Sequence, residues 1–543
     1  MTDRDARLLS IQDLTVALPA AAERAHAVEN ISFDLSHGEI LCVVGESGSG
    51  KSVTAQAVMG LLPATLKPTS GKILFGDEDM LKLSESRLRR IRGERISMIF
   101  QEPMTALNPL MRVGDQISEM LQFHGMGSRR RRQARVLELL EAVQLPDPPA
   151  MMTAYPFQLS GGQRQRVMIA MALALDPAIL IADEPTTALD VTTQAEVLGL
   201  IKALQAERAM GVMFITHDFG VVAEIADRVA VMQHGRTVEI GAAQEVLNHP
   251  KADYTQRLIA AVPGLTPPEA LPFTEREPIF EARALEKIYR SSRGFFRGKR
   301  EVVAAKDVSF VIRAGETLGL VGESGSGKTT VGRCVVRLVD SDSGELLFSG
   351  QDIAALKGNA LLPMRRNVQM VFQDPYASLN PRRKVAKIIA EGPRAQGVPR
   401  REAMDRAFEL LELVGLGRSA GERYPHEFSG GQRQRIGIAR ALALRPKLLV
   451  ADEPVSALDV SVQAQVLDLL DELRRKLDLS MLFITHDLRV AAQVCDSIAV
   501  MRLGEIVEYG PTGKVFADPQ HAYTRQLLDA IPGKGWRGPQ QAA

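Results

Sequence analysis

A stretch of 32 residues occurs twice in this chain and constrains its fold more than any other feature. Residues 159–190 read LSGGQRQRVMIAMALALDPAILIADEPTTALD, and residues 428–459 read FSGGQRQRIGIARALALRPKLLVADEPVSALD. Aligned without a gap, the two copies are identical at 22 of 32 positions, which is far more than a shared preference for helix or strand produces. The chain is therefore predicted to be a tandem duplication.

The length of the chain fits this prediction. A chain of 543 residues can form two domains that each bury a core. We expect a first repeat at 1–263, a proline-rich linker at 264–278, a second repeat at 279–535 and a short tail at 536–543. The 66 basic and 65 acidic residues nearly balance, so no overall attraction to nucleic acid or anionic lipid is indicated.

The sequence shows no membrane-spanning or export segment. The longest apolar run, at 167–175, has nine residues, about half of what a transmembrane helix needs. The charged start, MTDRDARLLS, lacks the apolar centre of a signal peptide. Cys42, Cys334 and Cys495 are isolated in the sequence and match neither a disulfide framework nor a metal cluster. We expect a cytosolic protein with three reduced, structural cysteines.

The pattern of apolar residues predicts three kinds of structure in each repeat. In the first repeat, short β-rich runs at 8–44 and at about 71–84 predict an antiparallel or mixed layer. Leucines and valines spaced by three and four residues, for instance at 131–143, predict a helical region from about 104 to 158. The runs AILIADEP and GVMFITHD are typical of buried parallel strands. The polar residues that end them are therefore expected at the ligand-binding edge of the sheet.

Two glycine-rich loops indicate phosphate binding. GESGSGKS at 45–52 and GESGSGKT at 322–329 each follow an apolar strand and open a helix. The glycines allow backbone N–H groups to surround phosphate oxygens, the lysine reaches the β- and γ-phosphates, and the final hydroxyl binds Mg²⁺. The residues expected to bind nucleotide here are Gly45, Ser47, Gly48, Gly50, Lys51, Ser52, Gly322, Ser324, Gly325, Gly327, Lys328 and Thr329.

A pair of acids follows the strand in each copy of the repeated stretch. Asp183 and Asp452 end the runs ILIAD and LLVAD, where a carboxylate can hold the water shell of a metal ion. The adjacent Glu184 and Glu453 are candidates for the general base that polarises the attacking water.

The motifs LSGGQ and FSGGQ, placed just before these strands, resemble the signature of ATP-binding-cassette (ABC) ATPases, and the resemblance covers nearly the whole chain. It implies an α/β fold with two tandem nucleotide-binding domains. Each would have a P-loop parallel-sheet core, an antiparallel β subdomain and a helical subdomain. It also implies ATP and Mg²⁺ as ligands, with two cassettes pairing head to tail around two ATP molecules. The resemblance leaves open whether cassettes pair within one chain or between chains, and we expect pairing within one chain.

The resemblance assigns further residues to the two sites. It makes Gln101 and Gln373 the Q-loop glutamines that sense the metal and the γ-phosphate, Asp190 and Asp459 the D-loop aspartates, and His217 and His486 the switch histidines. It also implies that each signature motif contacts the ATP of the other cassette. The residues concerned are Ser160, Gly161, Gly162, Ser429, Gly430 and Gly431.

Two departures from the family pattern concern the adenine and the signature. Tyr289 fits the place of the aromatic residue on which adenine stacks, whereas Leu18 takes that place in the first repeat, and Phe428 replaces the usual leucine of the signature. Both repeats retain the glutamine, the glutamate and the histidine. We therefore expect two hydrolysing sites, with adenine held less firmly at the first.

Tandem cassettes occur in transporters and in proteins that act on ribosomes or nucleic acid. The short proline-rich linker favours the first class. FQEPMTALNP, FQDPYASLNP and the segments ADYTQRLIAAVPG and AYTRQLLDAIPG resemble the oligopeptide/dipeptide importer family. That resemblance implies two integral-membrane permeases and a substrate-binding protein as partners. The chain itself would lie at the cytoplasmic face of the inner membrane, without direct contact to solute or nucleic acid.

No iron–sulfur cluster is expected, since the C-terminal segments lack cysteine. Peptides are the expected solute, with glutathione or nickel as alternatives.

Overall fold

The computed structural model describes residues 7–20, 22, 24–101, 106–187, 189–267, 276–291, 300–456 and 458–536. It contains two compact units, one comprising residues 1–262, 459–461 and 531–543, and the other residues 263–458 and 462–530. Residues 268–275 of the predicted linker and 537–543 of the predicted tail lie outside the described residues. The bounds 1–263, 264–278, 279–535 and 536–543 therefore stay predictions.

The first repeat contains ten strands and ten α-helices within its described residues. The strands are β1 (Arg7–Ala17), β2 (His26–Ser36), β3 (Ile40–Val44), β4 (Lys67–Phe75), β5 (Glu78–Asp79), β6 (Ile96–Ile99), β7 (Ile179–Asp183), β8 (Gly211–Thr216), β9 (Arg228–Gln233) and β10 (Arg236–Ala242). The helices are α1 (Lys51–Val58), α2 (Glu85–Ile91), α3 (Val113–Phe123), α4 (Arg129–Ala142), α5 (Pro148–Thr153), α6 (Gly161–Ala172), α7 (Val191–Arg208), α8 (Phe219–Ile225), α9 (Ala243–Asn248) and α10 (Asp253–Ala260).

The second repeat has the same order of elements. Its strands are β11 (Pro278–Ser291), β12 (Arg300–Arg313), β13 (Thr317–Val321), β14 (Ser343–Phe348), β15 (Gln351–Asp352), β16 (Val368–Val371), β17 (Leu448–Asp452), β18 (Ser480–Thr485), β19 (Ser497–Arg502) and β20 (Glu505–Pro511). Its helices are α11 (Lys328–Val335), α12 (Leu362–Asn367), α13 (Pro375–Ser378), α14 (Val385–Ala395), α15 (Arg400–Leu413), α16 (Gly430–Leu442), α17 (Val460–Leu477), α18 (Leu488–Val494), α19 (Thr512–Ala517) and α20 (Ala522–Asp529).

Each repeat has a four-stranded antiparallel sheet, in the order β2-β1-β4-β5 in the first repeat and β12-β11-β14-β15 in the second. Ile11 at the centre of β1 lies opposite Phe33 and Ile73 on the neighbouring strands, and all three side chains are buried. The predicted antiparallel layer is confirmed, except at its end. Residues 40–44 form β3 in the other sheet, because all five of these apolar residues are buried and require cover on both faces.

The larger sheet of each repeat places the candidate site. Its order is β10-β9-β3-β8-β7-β6 in the first repeat and β16-β17-β18-β13-β19-β20 in the second. Five neighbouring strands are parallel, and β10 and β20 are antiparallel edge strands. The carboxyl ends of β3, β6, β7 and β8 consequently lie at one edge, where ligands of such sheets bind.

The predicted helical region of the first repeat is confirmed as α3, α4 and α5. Val113, Ile117 and Leu121 on α3 recur every four residues and are fully buried, which places them on one face of the helix. They share a core with Leu139 and Leu140 of α4. The helix predicted at 131–143 spans Arg129–Ala142, because the hydroxyl of Ser128 caps its first turn.

The three cysteines are buried and chemically protected. Cys42, Cys334 and Cys495 are free thiols with at most 2% of their surface exposed. Burial raises the pKa of all three thiols, that of Cys334 to about 11. We expect no stoichiometric alkylation of the native protein by iodoacetamide at pH 8, because the buried thiols stay protonated and the reagent does not reach them. Mass spectrometry after denaturation in guanidinium should find three labels, and rapid labelling of the native chain would contradict the burial.

None of the helices in the described part of the chain combines the length and apolar character needed to cross a bilayer.

Candidate active site

The first glycine-rich loop joins β3 to α1 in a conformation that only glycine accepts readily. Gly45 has φ 151° and Gly50 has φ 105°, and a Cβ atom on Gly45 would lie 2.2 Å from the backbone oxygen of Met232. Lys51 begins α1, is 5% exposed, and donates from Nζ to the carbonyls of Gly45 (2.6 Å) and Glu46 (3.0 Å). These hydrogen bonds hold the lysine ammonium against the loop.

The second loop, between β13 and α11, has the same geometry. Gly322 and Gly327 have φ 150° and 105°, and Nζ of Lys328 donates to the carbonyls of Gly322 (2.7 Å) and Glu323 (2.8 Å). A Cβ atom on Gly327 would lie 1.9 Å from the backbone oxygen of Ala304. Two independent copies of the motif therefore fold alike.

Both loops fit a bound polyphosphate. The helices α1 and α11 begin after a left-handed glycine, and no side chain caps their first turn, which leaves N–H groups for an anion. The hydroxyls of Ser49 and Ser326 are buried in the loops and find no partner among the described residues. Ser47 and Gly48, at the tip of the first loop, are exposed, as are their counterparts Ser324 and Gly325.

A hydroxyl and a carboxylate pair next to each loop. Ser52 Oγ donates to Asp183 Oδ1 at 3.0 Å, and Thr329 Oγ1 donates to Asp452 Oδ1 at 3.0 Å. Burial raises the pKa of Asp183 and Asp452, and these hydrogen bonds oppose the rise. The pair supplies hard oxygen ligands and leaves the other positions to phosphate and water, which fits Mg²⁺.

Glu184 is the centre of a polar cluster at the end of β7. Its backbone is left-handed (φ 46°), and its N–H donates to the carbonyl of Ile215 (3.0 Å). The carboxylate accepts hydrogen bonds from Gln101 Nε2 (3.1 Å) and Thr187 Oγ1 (2.9 Å), and His217 Nδ1 lies 3.4 Å away. Burial raises the pKa of Glu184, but the hydrogen bond and charge of His217 outweigh it and lower the pKa to about 2.

Glu453 has the corresponding contacts in the second repeat. Gln373 Nε2 donates to its carboxylate at 2.8 Å, and His486 Nδ1 lies 3.2 Å from it. Burial raises the pKa of Glu453 and the contact with His486 lowers it, with a net decrease. Ser456 differs from Thr187, because its hydroxyl donates to the backbone carbonyl of Glu453 (3.2 Å). The structure thus brings the predicted glutamine, glutamate and histidine together in each repeat.

The signature residues begin a helix in each repeat. Ser160 Oγ accepts the N–H of Gln163 (3.2 Å), and the Gln163 side chain accepts the N–H of Ser160 (3.0 Å), which forms a capping box at the start of α6. Ser429 and Gln432 form the same box at α16. Gly161 and Gly430 are the first residues of these helices, followed by Gly162 and Gly431.

The two predicted D-loop aspartates directly precede helices. Asp190 caps α7, because its carboxylate accepts the N–H of Thr193 (3.0 Å). Asp459 stands immediately before α17.

The register of the first strands aligns Leu18 with Tyr289. Asp13 and Ala284 are left-handed at the same irregularity of β1 and β11 (φ 49° and 46°), and both Leu18 and Tyr289 lie five residues after them. The Tyr289 ring is 41% exposed. The second repeat therefore offers an aromatic ring at this position, whereas the first repeat offers an aliphatic side chain.

Two polar residues near these sites were not predicted from the sequence. Thr187 contacts Glu184, and the spacing E-x-x-[ST] shared by both repeats was the available signal. Arg24 donates from Nη2 to the carbonyl of Gly48 (2.7 Å), and its Nη1 is buried without a partner among the described residues. Nothing in the local sequence marks Arg24, which comes from the loop between β1 and β2.

Comparison with known proteins decides the family. A family model described as ABC transporter matches residues 28–187 and 305–456, more than half of the chain. The chain belongs to the ABC transporter family. It is an ATPase, and each repeat is an ABC cassette that binds ATP, so the expected α/β fold of two tandem cassettes is confirmed.

A second comparison identifies the branch of this ABC family. A model described as the oligopeptide/dipeptide transporter C-terminal region matches residues 238–287 and 507–539. These ranges contain the two tyrosine segments that the sequence singled out. The chain is therefore an ABC importer ATPase of the oligopeptide/dipeptide group.

Curated relatives of this ABC ATPase are import proteins. The glutathione import ATP-binding protein GsiA of Salmonella typhimurium (strain LT2) is 49% identical over 557 aligned residues, covering 97% of this chain and 89% of the relative. GsiA of Escherichia coli (strain K12) is 48% identical with the same coverage.

Among solved structures, two dimeric structures of the ATP-binding cassette MJ0796 match, one of them bound to ADP and Pi. Each covers 43% of this chain and 98% of the solved chain, with 27% identity and a TM-score of 0.39.

Proposed function

We propose that each cassette carries out ATP hydrolysis with the residues gathered at its sheet edge. The glycine loop and Lys51 or Lys328 bind the phosphates. Mg²⁺ neutralises phosphate charge and would be held by Ser52 and Asp183, or by Thr329 and Asp452, together with Gln101 or Gln373. The contacts of Glu184 and Glu453 support this assignment, because each carboxylate is partly buried, has a lowered pKa and lies in one cluster with its glutamine and histidine.

Glu184 and Glu453 serve as general bases in this proposal. Their low pKa keeps them ionised at neutral pH, so each can orient and polarise a water molecule. Gln101 and His217, or Gln373 and His486, position the carboxylate through the contacts described above. The same side chains would contact the γ-phosphate when ATP is bound.

The head-to-tail pairing of the two cassettes within one chain is also part of the proposal. The helix starts at Ser160–Gly162 and Ser429–Gly431 are anion-binding ends that would close on the ATP of the other cassette, next to Asp190 and Asp459. ATP that binds the closed state more tightly than the open state shifts the equilibrium towards closure. Hydrolysis then reopens the cassettes.

We propose that this cycle drives the import of a small peptide, with glutathione, itself a tripeptide, as the first candidate solute. The observation that carries the proposal is the 49% identity to a glutathione import ATP-binding protein across 97% of the chain. Two integral-membrane permeases and an extracytoplasmic substrate-binding protein would complete the importer. The chain would then lie at the cytoplasmic face of the inner membrane, without contacting the solute or nucleic acid.

Uptake measurements test the solute. In a strain that lacks the gene, labelled glutathione uptake should be restored by the wild-type chain and not by Glu184→Gln/Glu453→Gln. Restored uptake of dipeptides without glutathione would reject glutathione and retain a peptide importer. Restored nickel uptake alone would reject both. Purification from detergent extract should bring two membrane proteins with the chain, and ribosomes or RNA in their place would reject the importer.

The adenine contacts give a further prediction about the two sites. Leu18→Tyr should increase the affinity of the first site for ATP at least about 5-fold, because stacking of a base on an aromatic ring contributes about 1–3 kcal/mol. Equilibrium dialysis of ATP against chains that also carry Lys328→Ala, which disables the second site, measures the first site alone. Tyr289→Leu with Lys51→Ala should weaken the second site by a similar factor. Unchanged affinity in both variants would contradict the adenine assignment.

A further inference from the structure

A tyrosine of the C-terminal segment contacts the phosphate loop in the first cassette. Tyr254, on α10, is 7% exposed. Its hydroxyl accepts a hydrogen bond from the backbone N–H of Glu46 (3.3 Å) and donates one to the Glu46 carboxylate (3.2 Å). Glu46 is the second residue of the glycine-rich loop. The segment typical of the oligopeptide group is thus bonded directly to the loop that binds ATP.

The second cassette repeats this contact with its own residues. Tyr523, on α20, is 3% exposed, and its hydroxyl accepts the backbone N–H of Glu323 at 3.3 Å. Burial raises the pKa of Tyr523 to about 12, and burial also raises the pKa of Tyr254, so both phenols remain protonated. The helices α10 and α20 differ at five of their eight aligned positions, yet both keep the tyrosine, and each tyrosine contacts the same residue of its loop.

The glutamate that contacts the tyrosine also contacts the phosphate-binding lysine of its loop. The carbonyl of Glu46 accepts hydrogen bonds from Lys51 Nζ (3.0 Å) and from the N–H of Ser49 (3.1 Å). The carbonyl of Glu323 accepts from Lys328 Nζ (2.8 Å). The N–H that the tyrosine holds shares one planar peptide group with the preceding glycine carbonyl. That carbonyl accepts from the lysine ammonium, at 2.6 Å in the first loop and 2.7 Å in the second, so the tyrosine hydroxyl also fixes an oxygen that positions the lysine.

A second glutamate fixes the start of the helix that carries each tyrosine. The carboxylate of Glu239, on β10, accepts the N–H groups of Lys251 (2.8 Å) and Ala252 (3.1 Å). Glu508, on β20, does the same for Gln520 (2.7 Å) and His521 (3.1 Å). The tyrosine hydroxyl consequently comes from a helix that is itself anchored to the edge strand of the core sheet.

We propose that Tyr254 and Tyr523 are positioning residues for ATP binding, which hold each phosphate loop and its lysine in the geometry that receives the phosphates. The proposal rests on ATP binding at these loops. Packing of the aromatic ring alone would not require a hydroxyl bonded to a loop N–H. Without that hydroxyl, the N–H of Glu46 or Glu323 loses its partner and the loop gains freedom, which weakens ATP binding more than it slows hydrolysis.

The test replaces both tyrosines with phenylalanine, which keeps the ring and removes the hydroxyl. In Tyr254→Phe/Tyr523→Phe we expect the KM and the Kd for ATP to rise about 3- to 10-fold, the effect of one lost hydrogen bond at each site. We expect kcat to change less than about 2-fold, because the Glu184 and Glu453 clusters do not include these tyrosines. ATPase kinetics, equilibrium dialysis and the melting temperature are measured on the full-length chain.

Tyr509→Phe is the matched control, since its hydroxyl donates to the carbonyl of Val311 (3.1 Å), away from the loop. It should leave the KM for ATP unchanged. An unchanged KM in the double variant, or an equal rise in the control, would overturn the proposal, as would a fall in kcat at constant KM. If the double variant fails to fold, Tyr523→Phe alone carries the same test. Failure of the wild type to bind ATP would instead reject the assignment of the loops themselves.

Discussion

Glu184→Gln combined with Glu453→Gln is expected to abolish ATP turnover while ATP binding is retained. Glutamine has the size and shape of glutamate, so the hydrogen bonds with Gln101 and Gln373 can persist. It carries no charge and cannot accept a proton from water. A general base contributes about 10²- to 10⁴-fold to the rate, and phosphate release measured in the double variant should fall by at least that factor.

ATP binding should survive because the phosphate contacts come from other residues. Lys51 and Lys328 are held by carbonyls of their own loops, which the substitution does not touch, so equilibrium dialysis should give an affinity equal to or tighter than that of the wild type. Glu472→Gln is the control, because this exposed carboxylate pairs with Lys476 one helical turn away. Undiminished hydrolysis in the double variant would reject both general bases.

The single variants separate the two sites. Because each repeat has its own glutamate, glutamine and histidine within contact distance, we expect Glu184→Gln and Glu453→Gln each to reduce turnover. A variant that retains full wild-type activity would show that its site contributes nothing to hydrolysis, which would contradict the expectation of two working sites. Steady-state phosphate release from both variants at saturating ATP decides this.

Features that are determined by local sequence patterns were the easiest to predict. Lys51 follows an apolar strand, and Asp183 ends one. Parallel strands bring their carboxyl ends to one edge of the sheet, however the connecting loops run. The sequence also predicted the helical region and its apolar face, because a period of 3.6 residues is a local property. Its exact start depended on one cap, at Ser128, and was missed by two residues.

Contacts between distant parts of the chain could not be predicted from local pattern. Gln101 lies 83 residues before Glu184, and only the resemblance to a family placed the two together. Tyr254 lies 208 residues after Glu46, and its contact follows from how α10 packs on the core. The strand at 40–44 shows the same limit: its apolar run was recognised, yet its choice of sheet was decided by burial on both faces.

Gly45→Ala and Gly322→Ala should each disrupt one phosphate loop. Both glycines have φ near 150°, and a Cβ atom would lie 2.2 Å from the backbone oxygen of Met232 or Met501. A backbone oxygen within a strand cannot move aside as a flexible side chain can, so the loop itself must shift. We expect a cost of about 3 kcal/mol or more in the stability of the altered cassette, together with the loss of ATP binding at that site.

Alanine in open helical positions supplies the control for these loop variants. Gly199 and Gly437 lie inside α7 and α16, and a Cβ atom on either would meet nothing within 4 Å. Alanine there should stabilise the protein by about 0.5–1 kcal/mol, since glycine is a poor helix former. Calorimetry and equilibrium dialysis of ATP on all four variants then compare the glycine-to-alanine change in a phosphate loop with the same change in an open helix. Normal ATP binding and melting in Gly45→Ala would show that the loop tolerates a side chain, and would remove the steric reason for glycine at the first position of both motifs.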